Sequence, residues 1–562
     1  MTTPEEAALL DRLWGVAEPQ PVEVALGPWR FELRGDEVAD LAYDGTAVLR
    51  SVRAVVRDRD WNTVPAVVEA TERFEGGCRL RLALRGFGAD VTAILTVAAE
   101  ADRIDVSLEA TSHAEFLSNR LGLVVLHPPA VAGAPLVVGT PSGLERRTSF
   151  PDTVSPHQPA TDIRSLAWTH DGVAARVEFA GEVFEMEDQR NWTDASFKTY
   201  STPLALPFPV RIEPGAVIAQ SVSIGTERIA GRPAVAASAP EPVILEPVGR
   251  PVPEVGLGAS SVPDVASATR TDALASATPP PAGVAAILVE LDTRTPQWRA
   301  ALRRARDEAG GLPLDVRIIA DEPDRVTDAV DAVAAPSAGP IARLGVFSAR
   351  THVTEPALWA ALVDASARVP GAELLGGARS HFTELNREHH RLPRDLPALA
   401  FSMTPQMHAT ERAQLVESVP MQAVVTRDAG RIAAGRPLHV GPVTLRSRFN
   451  AVATSPPDKG GDPTLAGGYG AELVAGATDP RQSSAALEAW TVASYASVAT
   501  APDAAVRSIA YFETRGPRGI RHDDHPYPVA RAIARVAGLR GGELLAPRGA
   551  CPPGVFVVGA RF

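Results

Sequence analysis

The chain has 562 residues, with 55 Lys plus Arg against 67 Asp plus Glu and a formal net charge of −12 at pH 7. That length exceeds what one hydrophobic core serves, so several domains are expected. The acidic balance excludes a broad phosphate-binding surface, and with it nucleic acid as a partner, because such affinity comes from clustered Lys and Arg.

The N-terminal stretch MTTPEEAALLDRLWG puts Thr3 before Pro4 and Glu5, which predicts a short capped helix. It carries acids where a signal peptide needs positive charge and lacks an apolar centre, and no run in the chain approaches bilayer-spanning length. No membrane partner is expected. The two cysteines, Cys78 and Cys551, lie far apart without motif spacing, which supports neither a zinc site nor a disulfide framework and fits a reducing cytoplasm.

From about Pro21 to Glu227 the pattern is one of short strands. RLRLALR (79–85) and RIDVSLEAT (103–111) alternate apolar and polar residues with period two, and turns such as RGDEVAD and AYDGTA separate such segments. Residues 1–230 therefore read as an N-terminal antiparallel β-sandwich. Within it, MEDQRNWTDASFKTY (186–200) gathers Glu187, Asp188, Gln189, Arg190, Asn191, Trp192, Asp194 and Lys198, and Lys198 is one of only two lysines in the chain. Unpaired buried charge is costly. The segment is therefore expected against the mouth of the next domain, some members holding two domains in register and others reaching a ligand, with Trp192 at the boundary. An interdomain salt-bridge network without ligand contact is the alternative.

Residues 231–252 read as a Pro-rich connection. Beyond it, apolar strand candidates alternate with helices: EVGLGAS (254–260), AAILVELD (285–292), LDVRIIAD (314–321), ARLGVFSA (342–349), AELLGGARSHFTELN (372–386), ALAFSMTPQMHA (398–409), PLHVGPVTL (437–445) and VRSIAYFET (506–514). PQWRAALRRARDEAG and EPALWAALVDASARV are clear helices. Eight such units predict a (β/α)8 TIM-type barrel over 253–540, its first helix drawn from the Ala/Ser-rich stretch after Pro263. A short C-terminal β tail, 541–562, ends in GVFVVGARF.

In such a barrel the active site lies at the C-terminal ends of the strands. Strand five then offers His381, Glu384, Asn386 and Arg387; strand six, Gln406 and His408; strand seven, Arg446, Arg448 and Asn450; strand eight, Tyr511 and Glu513. Two carboxylates, Glu384 and Glu513, are thus expected to face one cavity among amides and guanidinium groups, which suits a polyhydroxylated substrate. The competing reading makes each glutamate a brace, salt-bridged to Arg387 or Arg446. REHH (387–390) and HDDH (522–525) contain metal-ligand types, but neither has HxH or HExxH spacing, so no metal is expected. No GxSxG elbow or P-loop appears, and no other cofactor is indicated.

Together MEDQRNWTDASFKTY with the following PLALPFP, SHFTELNR, FSMTPQMHA, HVGPVTLRSRFNAVAT, DPRQSS and YFETRGPRG give the chain a likeness to the D-apionate lactonase family, spread from the sandwich to the last barrel strand. The resemblance implies a galactose-mutarotase-like β-sandwich followed by a TIM-type barrel. It also implies a carboxylic-ester hydrolase that opens a small-molecule sugar-acid lactone, D-apionolactone, to D-apionate in apiose catabolism. The helix LEAWTVASYASVA after DPRQSS, the loop at Arg515 and Pro517, and a short C-terminal β region are departures from that pattern.

Lactone hydrolysis needs an activated water, stabilisation of the oxyanion and protonation of the departing alkoxide. Glu384 and Glu513 are the expected acid/base pair, in either order, and His408 is the third catalytic candidate. Asn386, Arg387, Gln406, Arg446, Arg448, Asn450 and Tyr511, with Glu187, Arg190, Asn191 and Lys198 from the sandwich, are the expected substrate-binding residues. Two alternatives remain: a glycoside hydrolase of the paired-glutamate TIM-barrel type, and a non-catalytic carbohydrate-binding protein. Homo-oligomerisation is left open.

Overall fold

The computed structural model of the chain describes residues 3–229, 242–263, 279–335, 339–453, 464–465, 468–469 and 473–562. Thr3 caps the helix Pro4–Trp14, its side chain accepting from Glu6 N–H while the Glu6 carboxylate accepts from Thr3 N–H.

Two nine-stranded antiparallel sheets follow. In one, Thr46–Asp58, Phe116–His127, Phe197–Tyr200 and Phe184–Asp188 lie side by side; in the other, Val217–Arg228, Arg103–Ser112, Ala89–Glu100 and Gly77–Gly86 do. Period-two alternation decides which face each residue takes. On Thr46–Asp58, Val52, Ala54 and Val56 enter the core shared with Leu82, Leu95, Phe184 and Phe197. Arg53, Val55 and Arg57 point the other way, toward the second domain.

The second domain is a closed barrel of eight parallel strands: Glu254–Gly258, Ala286–Asp292, Leu314–Ala320, Ile341–Ser348, Glu373–Gly377, Leu399–Met403, Leu438–Val443 and Val506–Glu513. All eight coincide with the apolar segments read from the sequence. Buried on both faces, such strands have no polar side to show. Helices Trp298–Ala309 and Pro356–Ala365 form where their apolar spacing predicts them. The helix expected after Pro263 falls largely outside the described residues.

Part of the Pro-rich connection is itself a strand. Leu245–Pro251 pairs with Glu543–Pro547, which pairs with Gly559–Arg561 of the tail. The connection is an edge strand with an irregular register between Pro247 and Pro251, as two missing N–H donors require.

Tyr511 corrects one sequence reading. Its place at the end of strand eight predicts a side chain at the barrel mouth, but it is fully buried, bonded to Ser494 Oγ at 3.0 Å on the surrounding helix Ala486–Ala499, and lines neither cavity described below. Phe512 has φ of 46°, and the register slips there, so Tyr511 faces the helices while Phe512 and Glu513 both line the barrel mouth. Tyr511→Phe is therefore expected to cost about 1 kcal/mol, the net worth of one hydrogen bond, and to leave any activity at the barrel mouth unchanged; urea melts and steady-state rates check both.

Candidate active site

The segment 186–200 folds as a hairpin. Strands Phe184–Asp188 and Phe197–Tyr200 pair with Glu185 opposite Tyr200 and Glu187 opposite Lys198, joined through the turn Gln189–Trp192. Directly opposed side chains share a face. Tyr200 Oη accordingly donates to Glu185 Oε1 at 2.5 Å, and Lys198 is ion-paired with Glu187, on the face turned to the barrel.

The turn between these strands docks on the loops after barrel strands five and six. Thr193 Oγ1 donates to Thr404 O at 2.9 Å, Thr383 Oγ1 to Asn191 O at 3.0 Å, and Asn386 Nδ2 to Asn191 Oδ1 at 2.9 Å. Asn191 Nδ2 is also committed, to Ser155 O at 2.6 Å. Arg190 is buried, forked onto Asp188 at 2.7 and 2.9 Å, bonded to Pro151 O and stacked on Phe197. Residue type and position predict substrate binding for Arg190, Asn191 and Asn386. None of the three lines a cavity described here; their polar groups are used in fixing the hairpin and its contact with the barrel.

Between the hairpin, its sheet and the barrel mouth lies a chamber of about 740 Å³. Eight of the fourteen catalytic and substrate-binding candidates line it: Glu384, His408, Arg387, Gln406, Arg446, Asn450, Glu187 and Lys198. His408 Nδ1 lies 2.9 Å from Asp194 Oδ2, and Asp194 Oδ1 accepts from Gln414 Nε2 at 2.9 Å. An ionised carboxylate only accepts, so it holds the imidazole proton on Nδ1 and leaves Nε2 basic. Trp192 meets the His408 ring edge to face at 5.1 Å and lies beneath the Arg387 guanidinium. Burial would raise the Glu187 carboxyl, but the Lys198 and Arg387 cations outweigh it and hold it below the usual range. Burial pushes His381 down to about 3, so it lines the chamber as a neutral ring.

Glu384 is the third residue of the helix Phe382–Glu388, where its Oε2 accepts Ser380 Oγ–H at 2.6 Å and His381 N–H at 3.0 Å. A backbone bridge joins Gln406 to Arg446, and both donate to Asp479 Oδ2 at 2.8 Å. Asn450 Nδ2 reaches Asp60 O at 2.7 Å and ties the seventh βα loop to the sandwich.

Glu513 is elsewhere. With Arg448 it lines a smaller cavity of about 120 Å³ over the barrel axis, where Ser261 N–H, Ser261 Oγ–H and Arg518 Nε all donate to its carboxylate at 2.5–3.2 Å. Glu290, inside strand two, is ion-paired there with Arg448 at 2.6 Å and Arg379 at 3.4 Å. Phe449 lines both cavities, with the Arg379 and Arg448 guanidiniums against its ring. The two glutamates expected to face one cavity thus face two. Counting loops from strand ends places residues only at a rim, and an intervening side chain can divide the rim.

Sequence reasoning passed over Asp194, Glu290 and Asp479 as site residues. Asp194 stands inside the polar segment, and Asp479 opens DPRQSS. Glu290 is the acid in ILVEL, where a buried strand should carry none unless it has a partner.

Two family models match the chain: the D-apionate lactonase N-terminal domain over residues 11–228 and the D-apionate lactonase TIM barrel domain over 257–541. The chain belongs to the D-apionate lactonase family. A D-apionate lactonase of Brucella anthropi is 29% identical, covering 93% of this chain and 88% of that protein. Among solved structures, a galactose mutarotase-like protein of Lactobacillus casei is 8% identical with a TM-score of 0.28, covering 37% of this chain and all of its own. The GH36 alpha-galactosidase AgaA of Geobacillus stearothermophilus is 9% identical with a TM-score of 0.27, covering 93% of this chain and 88% of that one.

Among the described residues no helix is long and apolar enough to cross a membrane, and no cluster of three or more His, Cys, Asp or Glu side chains is arranged to hold a metal ion.

Proposed function

We propose that the chamber between hairpin and barrel is where this family member opens its lactone, with His408 as the base. Family membership makes the chain a lactonase, a carboxylic-ester hydrolase, and supports D-apionolactone as its substrate in apiose catabolism. The observation that carries the site assignment is the His408–Asp194 pair, a ring that lines the chamber with its Nδ1 held by a buried carboxylate.

His408 Nε2 takes a proton from water as the water oxygen attacks the lactone carbonyl. The negative charge moves to the carbonyl oxygen, where Arg446, anchored through Nε by Asp479, supplies positive charge. Collapse of the intermediate breaks the bond to the ring oxygen, and the proton on Nε2 passes to that departing alkoxide. The product is a sugar acid, which ionises to its carboxylate by releasing the remaining water proton to solvent. Glu384, its Oε2 already accepting two hydrogen bonds, together with Lys198 and Asn450, suits the substrate hydroxyls.

The assay is acid release from D-apionolactone, run beside aryl alcohol release from aryl glycosides. Acid release alone supports the reading; aryl alcohol release favours a glycosidase. Glu513→Gln is expected to lower the melting temperature by weakening the Arg518 pair. Its turnover should fall less than about tenfold, short of the hundredfold or more that loss of a general acid or base costs. We place the reaction in the cytoplasm, which suits Cys78 and Cys551 as free thiols.

A further inference from the structure

The sandwich wall of the chamber carries two cations, Arg57 and Arg120, directly opposed on neighbouring antiparallel strands, so their side chains share the face that lines the chamber. Among the described residues neither forms an ion pair with a carboxylate. Each spends a single nitrogen on a backbone carbonyl: Arg57 Nη1 donates to Trp61 O in the turn after its strand at 3.0 Å, and Arg120 Nη1 donates to Asn119 O, its neighbour in the strand. Arg120 is only 6% exposed, its guanidinium carbon 5.2 and 5.3 Å from the ring centres of Trp61 and Phe208, and its buried Nε and Nη2 have no hydrogen-bond partner among the described residues.

Opposed like charges destabilise a sheet, and burial of unbonded donors adds to that cost. The nitrogens left over on Arg120 are those of the side edge of the guanidinium, whose two parallel N–H groups match the two oxygens of a carboxylate. We propose that Arg57 and Arg120 form a carboxylate subsite in the chamber that holds the anion of a sugar acid. The inference rests on the chamber being the lactone site. The carboxylate comes either from the ring-opened product, once its new acid group has left Arg446, or from a second acid group on the substrate. The aromatic rings of Trp61 and Phe208 pack against Arg120 and limit the positions it can take before the ligand arrives.

The test is calorimetric titration of the intact protein with D-apionate, which needs no turnover. Arg57→Met and Arg120→Met, which keep length and apolar packing, are expected to raise the Kd at least about tenfold, the usual worth of a hydrogen bond to a charged group. Arg120→Lys, which keeps the charge and loses the fork, should fall between. If Arg120→Met does not fold, Arg57→Met and Arg120→Lys carry the test. D-Glucaro-1,4-lactone separates the two sources: a KM that rises in parallel assigns the subsite to a substrate acid, and an unchanged KM assigns it to the product. A Kd for D-apionate within twofold of the parent in the folded variants overturns the proposal. Arginine-dependent binding of D-apionate by a protein that does not hydrolyse D-apionolactone would leave the subsite standing and overturn the lactonase assignment of the chamber.

Discussion

Replacement of His408 by Asn is expected to lower kcat on D-apionolactone by about a thousandfold, within the range that positioned acid/base groups contribute, with KM changed only a few-fold. The amide fills similar space and can bond to Asp194 but cannot accept the water proton. Asp194→Asn tests the same dyad by a different route. Gln414 Nε2 donates to one oxygen of Asp194, and His408 Nδ1 faces the other. An asparagine there turns its carbonyl to Gln414 and its NH2 to His408, so Nδ1 becomes the acceptor and the ring proton moves to Nε2. The base is then the wrong tautomer, and kcat should fall by about a hundredfold or more while the melting temperature barely moves. Near-parent turnover in both variants would remove His408 from the chemistry.

Strands of the barrel were legible because each is dominated by apolar residues, and most are separated from the next by a helical pattern. The placement of the polar hairpin was legible for a different reason: charges at Glu187 and Lys198 need partners, and period two puts those partners across the strand. What the sequence concealed is local. Phe512 in the left-handed region changes which way Tyr511 faces, and nothing in YFETRG announces it. Phe449, one aromatic in RSRFN, borders both cavities, one lined by Glu384 and the other by Glu513. Arg190, Asn191 and Asn386 look like ligand-binding residues in a string of letters, yet the Asp188 carboxylate, the Asn191 side-chain oxygen and backbone carbonyls consume their donors. Polar residue type records that a partner exists; only geometry distinguishes a protein partner from a substrate.

Glu290→Gln is expected to lower stability in a pH-dependent way that identifies its cause. Burial alone would raise the carboxyl, but Arg448 and Arg379 more than compensate and lower it to about 2 from an ordinary 4.5. Because the folded-state value is depressed, the stabilisation is fully present above the ordinary value and is lost as pH falls through the folded one. At pH 7 the carboxylate is worth on the order of 3 kcal/mol, and its side chain is only 18% exposed, so solvent screens it little. The variant leaves two guanidinium groups facing a neutral amide. Its melting temperature should lie on the order of 5 °C below that of the parent protein at pH 7. Between pH 4.5 and pH 2 the parent loses the same contribution by protonation, so the gap between the two proteins should narrow steadily. Melting curves at half-unit pH intervals measure it. A gap that stays constant down to pH 2 would mean that the amide disturbs packing at strand two, and that the ion pairs from Glu290 to Arg379 and Arg448 contribute no net stability.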